Sequence, residues 1–121
     1  MKKLAAKIVE HIDRYGNGIT FGELARLDGF SGEYMYGSVD HNQFFWFACS
    51  EEAIDALAFL TTERIVTFRR MSALEADMLA HTGQFMPVQP IVTEEKKYDT
   101  PHWVPVVLDK GPKFRRLDPA E

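Results

Sequence analysis

Four aromatics in a row, Phe44-Phe45-Trp46-Phe47, stand directly in front of a helix-start signal at Ser50. A run of bulky aromatics favours extended backbone. Apolar residues on both faces are what a strand buried on both sides requires. The same run would stack on nucleic-acid bases if lysines and arginines flanked it. Residues 32–60 contain neither, while Glu33, Asp40, Glu51, Glu52 and Asp55 surround the run with negative charge. The run is therefore expected in the core, and Trp46 and Trp103 are both expected to be buried.

Upstream, Leu4, Ala5, Ile8, Val9, Ile12 and Tyr15 recur at three- and four-residue spacing. That is an amphipathic helix, stopped by Gly16-Asn17-Gly18. Thr20 with Glu23 forms a capping-box pattern, and Ile19 with Leu24 a hydrophobic staple. Asp28-Gly29 limits this second helix to about two turns. Tyr34-Met35-Tyr36 and Phe44–Phe47, on either side of residues 38–43, read as the two strands of a hairpin. Ser50 caps a third helix, with Glu51 and Glu52 in its first turn and Cys49 with Ile54 as its staple. Its buried face should carry Ile54, Leu57, Ala58 and Leu60 or Thr61.

Ile65-Val66-Thr67-Phe68 reads as a strand leading into Arg69-Arg70-Met71 as the turn of a wing. Leu74, Ala76, Met78 and Ala80 alternate, which favours a strand over 72–81 although the composition suits a helix. Residues 85–90, with Pro87 and Pro90, read as an extended crossing segment, and 94–98 as a charged loop. Residues 101–108 should pack back as an edge strand, given Pro105. Residues 109–121 read as a polar tail, so the expected organisation is one α+β domain over 1–108 followed by that tail.

The length of 121 residues suits one domain with a real core. The lysine-rich start lacks a cleavage site, no apolar run approaches the roughly 20 residues of a membrane span, and Cys49 is the only cysteine. These features fit a cytoplasmic protein. The net charge of −4 is unevenly spread: residues 20–63 hold eight acids and one arginine. Arg64, Arg69 and Arg70 follow at once.

Four histidines, His11, His41, His81 and His102, show no metal-ligand spacing, and no Cys-x-x-Cys exists. No metal or cofactor is expected. An Asp99–His102 pair for proton transfer is less simple than a turn at Pro101. Cys49 at a helix N-terminus has the position of a nucleophile, but its staple role favours a buried hydrophobe. No phosphate loop or Gly-x-Ser-x-Gly is present, so nothing assigns catalysis. The residue groups that carry functional meaning are Glu51, Glu52 and Asp55 as an acidic partner surface, and Arg64, Arg69 and Arg70 as a DNA-contacting wing.

The order of a short helix, GITFGELARLDGF, FFWFACSEEAIDALAFL, ERIVTF and PHWVPVVL resembles uncharacterised small proteins of Mu-like phages and prophages. The likeness spans residues 4–108. It implies a winged-helix-like body with a Pro-His-Trp segment near the C-terminus, and a phage or prophage origin in a bacterial host. With the acidic middle, the expected role is a non-enzymatic accessory protein binding a host or phage protein. The alternatives are a winged-helix DNA-binding regulator and, last, a small enzyme.

Overall fold

The computed structural model describes residues 2–72, 74, 75, 78, 97–100 and 102–118. Among them the order is α1 (Lys2–Tyr15), β1 (Ile19–Thr20), α2 (Phe21–Leu24), β2 (Ser31–Ser38), a 3-10 turn (Val39–His41), β3 (Gln43–Cys49), α3 (Glu51–Thr62), β4 (Val66–Arg70), β5 (His102–Trp103) and β6 (Val106–Lys110). The class is α+β, with three helices and two three-stranded sheets.

The local stop and start signals act as written. α1 buries Leu4, Ala5, Ile8, Val9 and Ile12 and ends where Gly16 takes φ +87, a conformation glycine adopts without steric cost. The Thr20–Glu23 capping box forms, yet α2 lasts only four residues. Ser50 accepts the Ala53 N–H at 3.0 Å and caps α3. The face that α3 buries is Ala53, Ala56, Leu57 and Leu60; Ala58, expected inside, is exposed.

One sheet has the order β2-β3-β5 and the other β1-β6-β4. β2 and β3 are the expected antiparallel hairpin, with register shifts along it. β5 joins the far side of β3 in parallel, pairing His102 with Gln43 and Trp103 with Phe44. The expected single edge strand over 101–108 is instead two strands in different sheets. Pro105, which cannot donate to a ladder, falls in the break between them. β6 then lies in the middle of its sheet, between β1 and β4.

Three further expectations are corrected. Arg69 and Arg70 are not a turn: they lie inside β4, opposite Val107 and Val106. At 72–81, the described residues Leu74, Glu75 and Met78 are helical rather than extended; the rest of the alternating pattern lies outside the described residues. A local reason is on hand, because the Ser72 hydroxyl accepts the Glu75 N–H and the Glu75 carboxylate accepts the Ser72 N–H. Finally, residues 109–118 do not hang free. The Gly111 N–H bonds Ile65 O, the Lys113 N–H bonds Arg64 O, and Phe114 and Leu117 pack against the core. The segment read as crossing at 85–90, and 94–96 of the expected charged loop, lie outside the described residues.

The aromatic run supplies core, but not along its whole length. Phe44 and Trp46 are buried and Phe45 is half-buried, whereas Phe47 is 40% exposed. Trp103 is buried, as expected. Phe21 connects the two sheets, stacking on Trp46 of β3 with centroids 5.9 Å apart and on Phe68 of β4 at 6.0 Å. Offset ring pairs of this kind add stabilisation beyond area burial.

Candidate functional site

The acidic residues are brought together by a packing requirement. Gly32 of β2 comes so close to Ser50 that a Cβ there would stand 2.5 Å from the Ser50 Cα. The Ser50 N–H bonds Phe30 O, and its hydroxyl donates to Gly29 O at 2.6 Å. These contacts seat the start of β2 against the first turn of α3. Glu33, the residue after Gly32, thus lies at the end of α3 that carries Glu51 and Glu52, with Asp55 one turn further along, and all four are exposed. The helix dipole favours this charge at the N-terminus. Anionic side chains here therefore cost the fold little, and the surface is strongly negative.

The three arginines are not one patch. Arg64 follows α3 in a left-handed conformation (φ +59), and its carbonyl is taken by Lys113. Arg69 and Arg70 lie five and six residues further on, at the other end of β4, and successive strand residues point to opposite faces. Arg69 donates from Nε to Asp109 Oδ2 at 2.9 Å and approaches Glu75 at 3.5 Å. The hydrogen bond to Asp109 raises its pKa further, so it stays a cation held by carboxylates. Of its two partners, Glu75 is near in sequence. Asp109 is 40 residues away and gave no local signal. Arg70 lines a hollow of about 200 Å³ with Gln43, Phe45, Phe68 and Val106.

The other chemistry-bearing groups have local occupations. Cys49 is fully buried, and burial pushes its thiol up to about 12, far from a reactive thiolate. His11 Nε2 meets Glu23 Oε2 at 3.2 Å. His102 donates from Nδ1 to Thr100 O at 2.6 Å and stacks on Tyr98, so it forms no pair with Asp99 through that nitrogen. His81 lies outside the described residues. Among the described residues, no three His, Cys, Asp or Glu side chains gather as a metal site would require. A cleft of about 590 Å³ between α1 and the C-terminal segment is lined by Ala6, Val9, Glu10, Asp13, Arg14, Arg116 and Leu117. Within it Arg116 donates twice to Asp13.

One feature escaped sequence reasoning. Phe47 of β3, expected in the core with the rest of its run, is 40% exposed, and Tyr34 and Met35 of the expected hairpin strand β2 are exposed as well. Comparison with protein-family models finds no match, and comparison with curated proteins and with solved structures finds none either. No helix among the described residues is long and apolar enough to cross a membrane.

Proposed function

We propose that this chain is a non-enzymatic accessory protein of a phage or prophage, acting in the host cytoplasm by binding another protein through its acidic face. The observation that carries this reading is the exposed cluster of Glu33, Glu51, Glu52 and Asp55, with no lysine or arginine from residue 27 to residue 63. Such a field repels nucleic acid and steers a basic protein surface towards it. The winged-helix-like ancestry is part of the same proposal. The order of two helices, a hairpin, a third helix and a strand supports it.

The DNA-binding reading asks α2 to fill a groove and the arginines to meet phosphate. α2 has one turn, and Arg69 is shared between Asp109 and Glu75. Both features favour the protein-binding reading. The test is capture of partners from host lysate, run beside a duplex-binding assay at low salt. A specific protein partner lost on charge reversal of Glu51, Glu52 and Asp55 supports the proposal. Tight duplex binding that needs Arg69 and Arg70 refutes it.

A further inference from the structure

β2 is the outermost strand of its sheet: β3 pairs with one side of it, and among the described residues nothing pairs with the other. An unpaired strand edge offers a row of backbone N–H and C=O groups that another chain can complete. Between its seat on Ser50 and the packing of Tyr36 on the core, this strand is also uncovered. Consecutive strand residues point to opposite faces, yet Glu33, Tyr34 and Met35 are all exposed. Tyr34 is 55% exposed and Met35 40%. Phe47 lies on the adjoining strand between the pairs Tyr36↔Trp46 and Tyr34↔Cys49, close to both. Large apolar side chains exposed together mark interaction surfaces.

Charge selects the occupant. Glu33 sits in the edge itself, and the Gly32–Ser50 contact brings it to the end of α3 that carries Glu51 and Glu52. A second copy pairing edge to edge would set these acids against their own kind. The charge on the edge discourages such self-pairing. A strand bearing lysine or arginine meets no such barrier.

Building on the protein-binding reading above, we infer that β2 accepts an extended basic segment of the partner as an added strand. Its backbone bonds to residues 33–36. On one face its cations meet Glu33, Glu51 and Glu52, and on the other its apolar side chains meet Tyr34. In strand addition the main chain supplies affinity and the side chains supply choice.

The experiment titrates the intact protein with a labelled peptide of alternating lysine and valine. Two controls run beside it: the glutamate–valine counterpart, and the lysine–valine peptide N-methylated on alternate backbone amides. The lysine–valine peptide should bind in a salt-sensitive way and slow amide exchange at residues 33–36. The glutamate–valine peptide should not bind. N-methylation should weaken binding by about tenfold or more, and Glu33→Lys by about tenfold with native circular dichroism. Equal binding of the methylated peptide without amide protection would overturn strand addition, yet leave an acidic protein-binding surface standing. Absence of lysine–valine binding, or self-association through β2 in sedimentation, would also overturn it. The parent reading fails separately, when charge reversal at Glu51, Glu52 and Asp55 leaves partner capture unchanged.

Discussion

The Arg69 guanidinium and the Asp109 carboxylate meet at 2.9 Å across the β4–β6 pair, and the second Asp109 oxygen accepts the Gly18 N–H at 2.9 Å. One half-buried carboxylate thereby holds the strand bearing Arg69 and the turn leading into β1. Asp109→Ala would take one of two acceptors from each group, since the Gly18 N–H keeps Leu108 O at 3.0 Å and Arg69 keeps Glu75, so two weakened hydrogen bonds should cost about 1–1.5 kcal/mol. Arg69→Ala loses only one exposed arm of the arrangement and should cost less than about 1 kcal/mol. Urea unfolding of the two variants checks the order. An Arg69 variant as damaging as the Asp109 variant would contradict it.

The same pair shows what the sequence could and could not convey. Signals complete within one or two turns were legible: the Gly16 stop, the Thr20–Glu23 box, the Ser50 cap and the β2–β3 hairpin. The Ser72–Glu75 box is equally local but was missed, because alternation at Leu74, Ala76, Met78 and Ala80 pointed to a strand. Period-2 counting over four small or unbranched residues is a weak signal where a cap is written just before them. What could not be read were partnerships set by distant chain. Nothing near Arg69 announces Asp109, and nothing in residues 101–108 announces that Pro105 divides two sheets. Phe47 was read as core because a four-residue aromatic run does not reveal where β3 leaves the body. Glu51, Glu52 and Asp55 were legible as a surface because helix N-termini tolerate exposed acids. Glu33 joins them only through the Gly32–Ser50 contact.

The two tryptophans should respond differently to loss of the indole nitrogen. Trp103 Nε1 donates to Phe45 O at 3.2 Å, whereas Trp46 Nε1 is buried without a hydrogen-bond partner among the described residues. Replacing either by Ala opens a large hole and should cost about 3–5 kcal/mol. For Trp46→Phe, no bond is lost and an unsatisfied donor disappears, which offsets part of the lost contact. Trp103→Phe strands a carbonyl and should therefore be the worse of the two by about 1 kcal/mol. Chemical denaturation of both Phe variants decides it; equal losses would count against the assignment.

Gly111 should tolerate no side chain. A Cβ there would run into the Arg64 carbonyl oxygen, and this is backbone that cannot swing aside. The contact belongs to the C-terminal segment that packs on the end of α3. Gly111→Ala should destabilise by about 1–3 kcal/mol, the usual range for overpacking. A free polar tail would instead accept alanine at no cost, so a thermal melt separates the two descriptions.

Alkaline pH should loosen the fold through Cys49. Burial raises its thiol from an ordinary 9.0 to about 12, and burial also raises Tyr36 above its ordinary 10.0. Between about pH 9 and 12 the unfolded chain has released the thiol proton while the folded chain still holds it. Stability is then fully present below about pH 9 and declines as pH rises. Melting temperatures across this range should fall, and Cys49→Ala should flatten the decline while lowering the plateau through a small cavity. A wild-type profile flat to pH 11 would contradict the burial argument.

The acidic face and the arginines make opposite demands on salt and charge. If Glu51, Glu52 and Asp55 are the working surface, replacing all three by Lys should abolish partner capture. Part of that loss would reflect helix damage, since each cation at an N-terminus costs about 0.3–1 kcal/mol. Gln at the two glutamates and Asn at Asp55 remove the charge with little harm to the helix. These neutral variants should still weaken capture, with melting temperature nearly unchanged. Capture should also weaken as salt rises, because the attraction is between exposed charges. Arg69→Ala with Arg70→Ala should leave it intact. The converse pattern is equally definite: capture that ignores the neutral variants, together with duplex binding whose salt slope shrinks when the two arginines are removed. That pattern would move the working surface to β4, and would require Arg69 to leave Asp109 on binding.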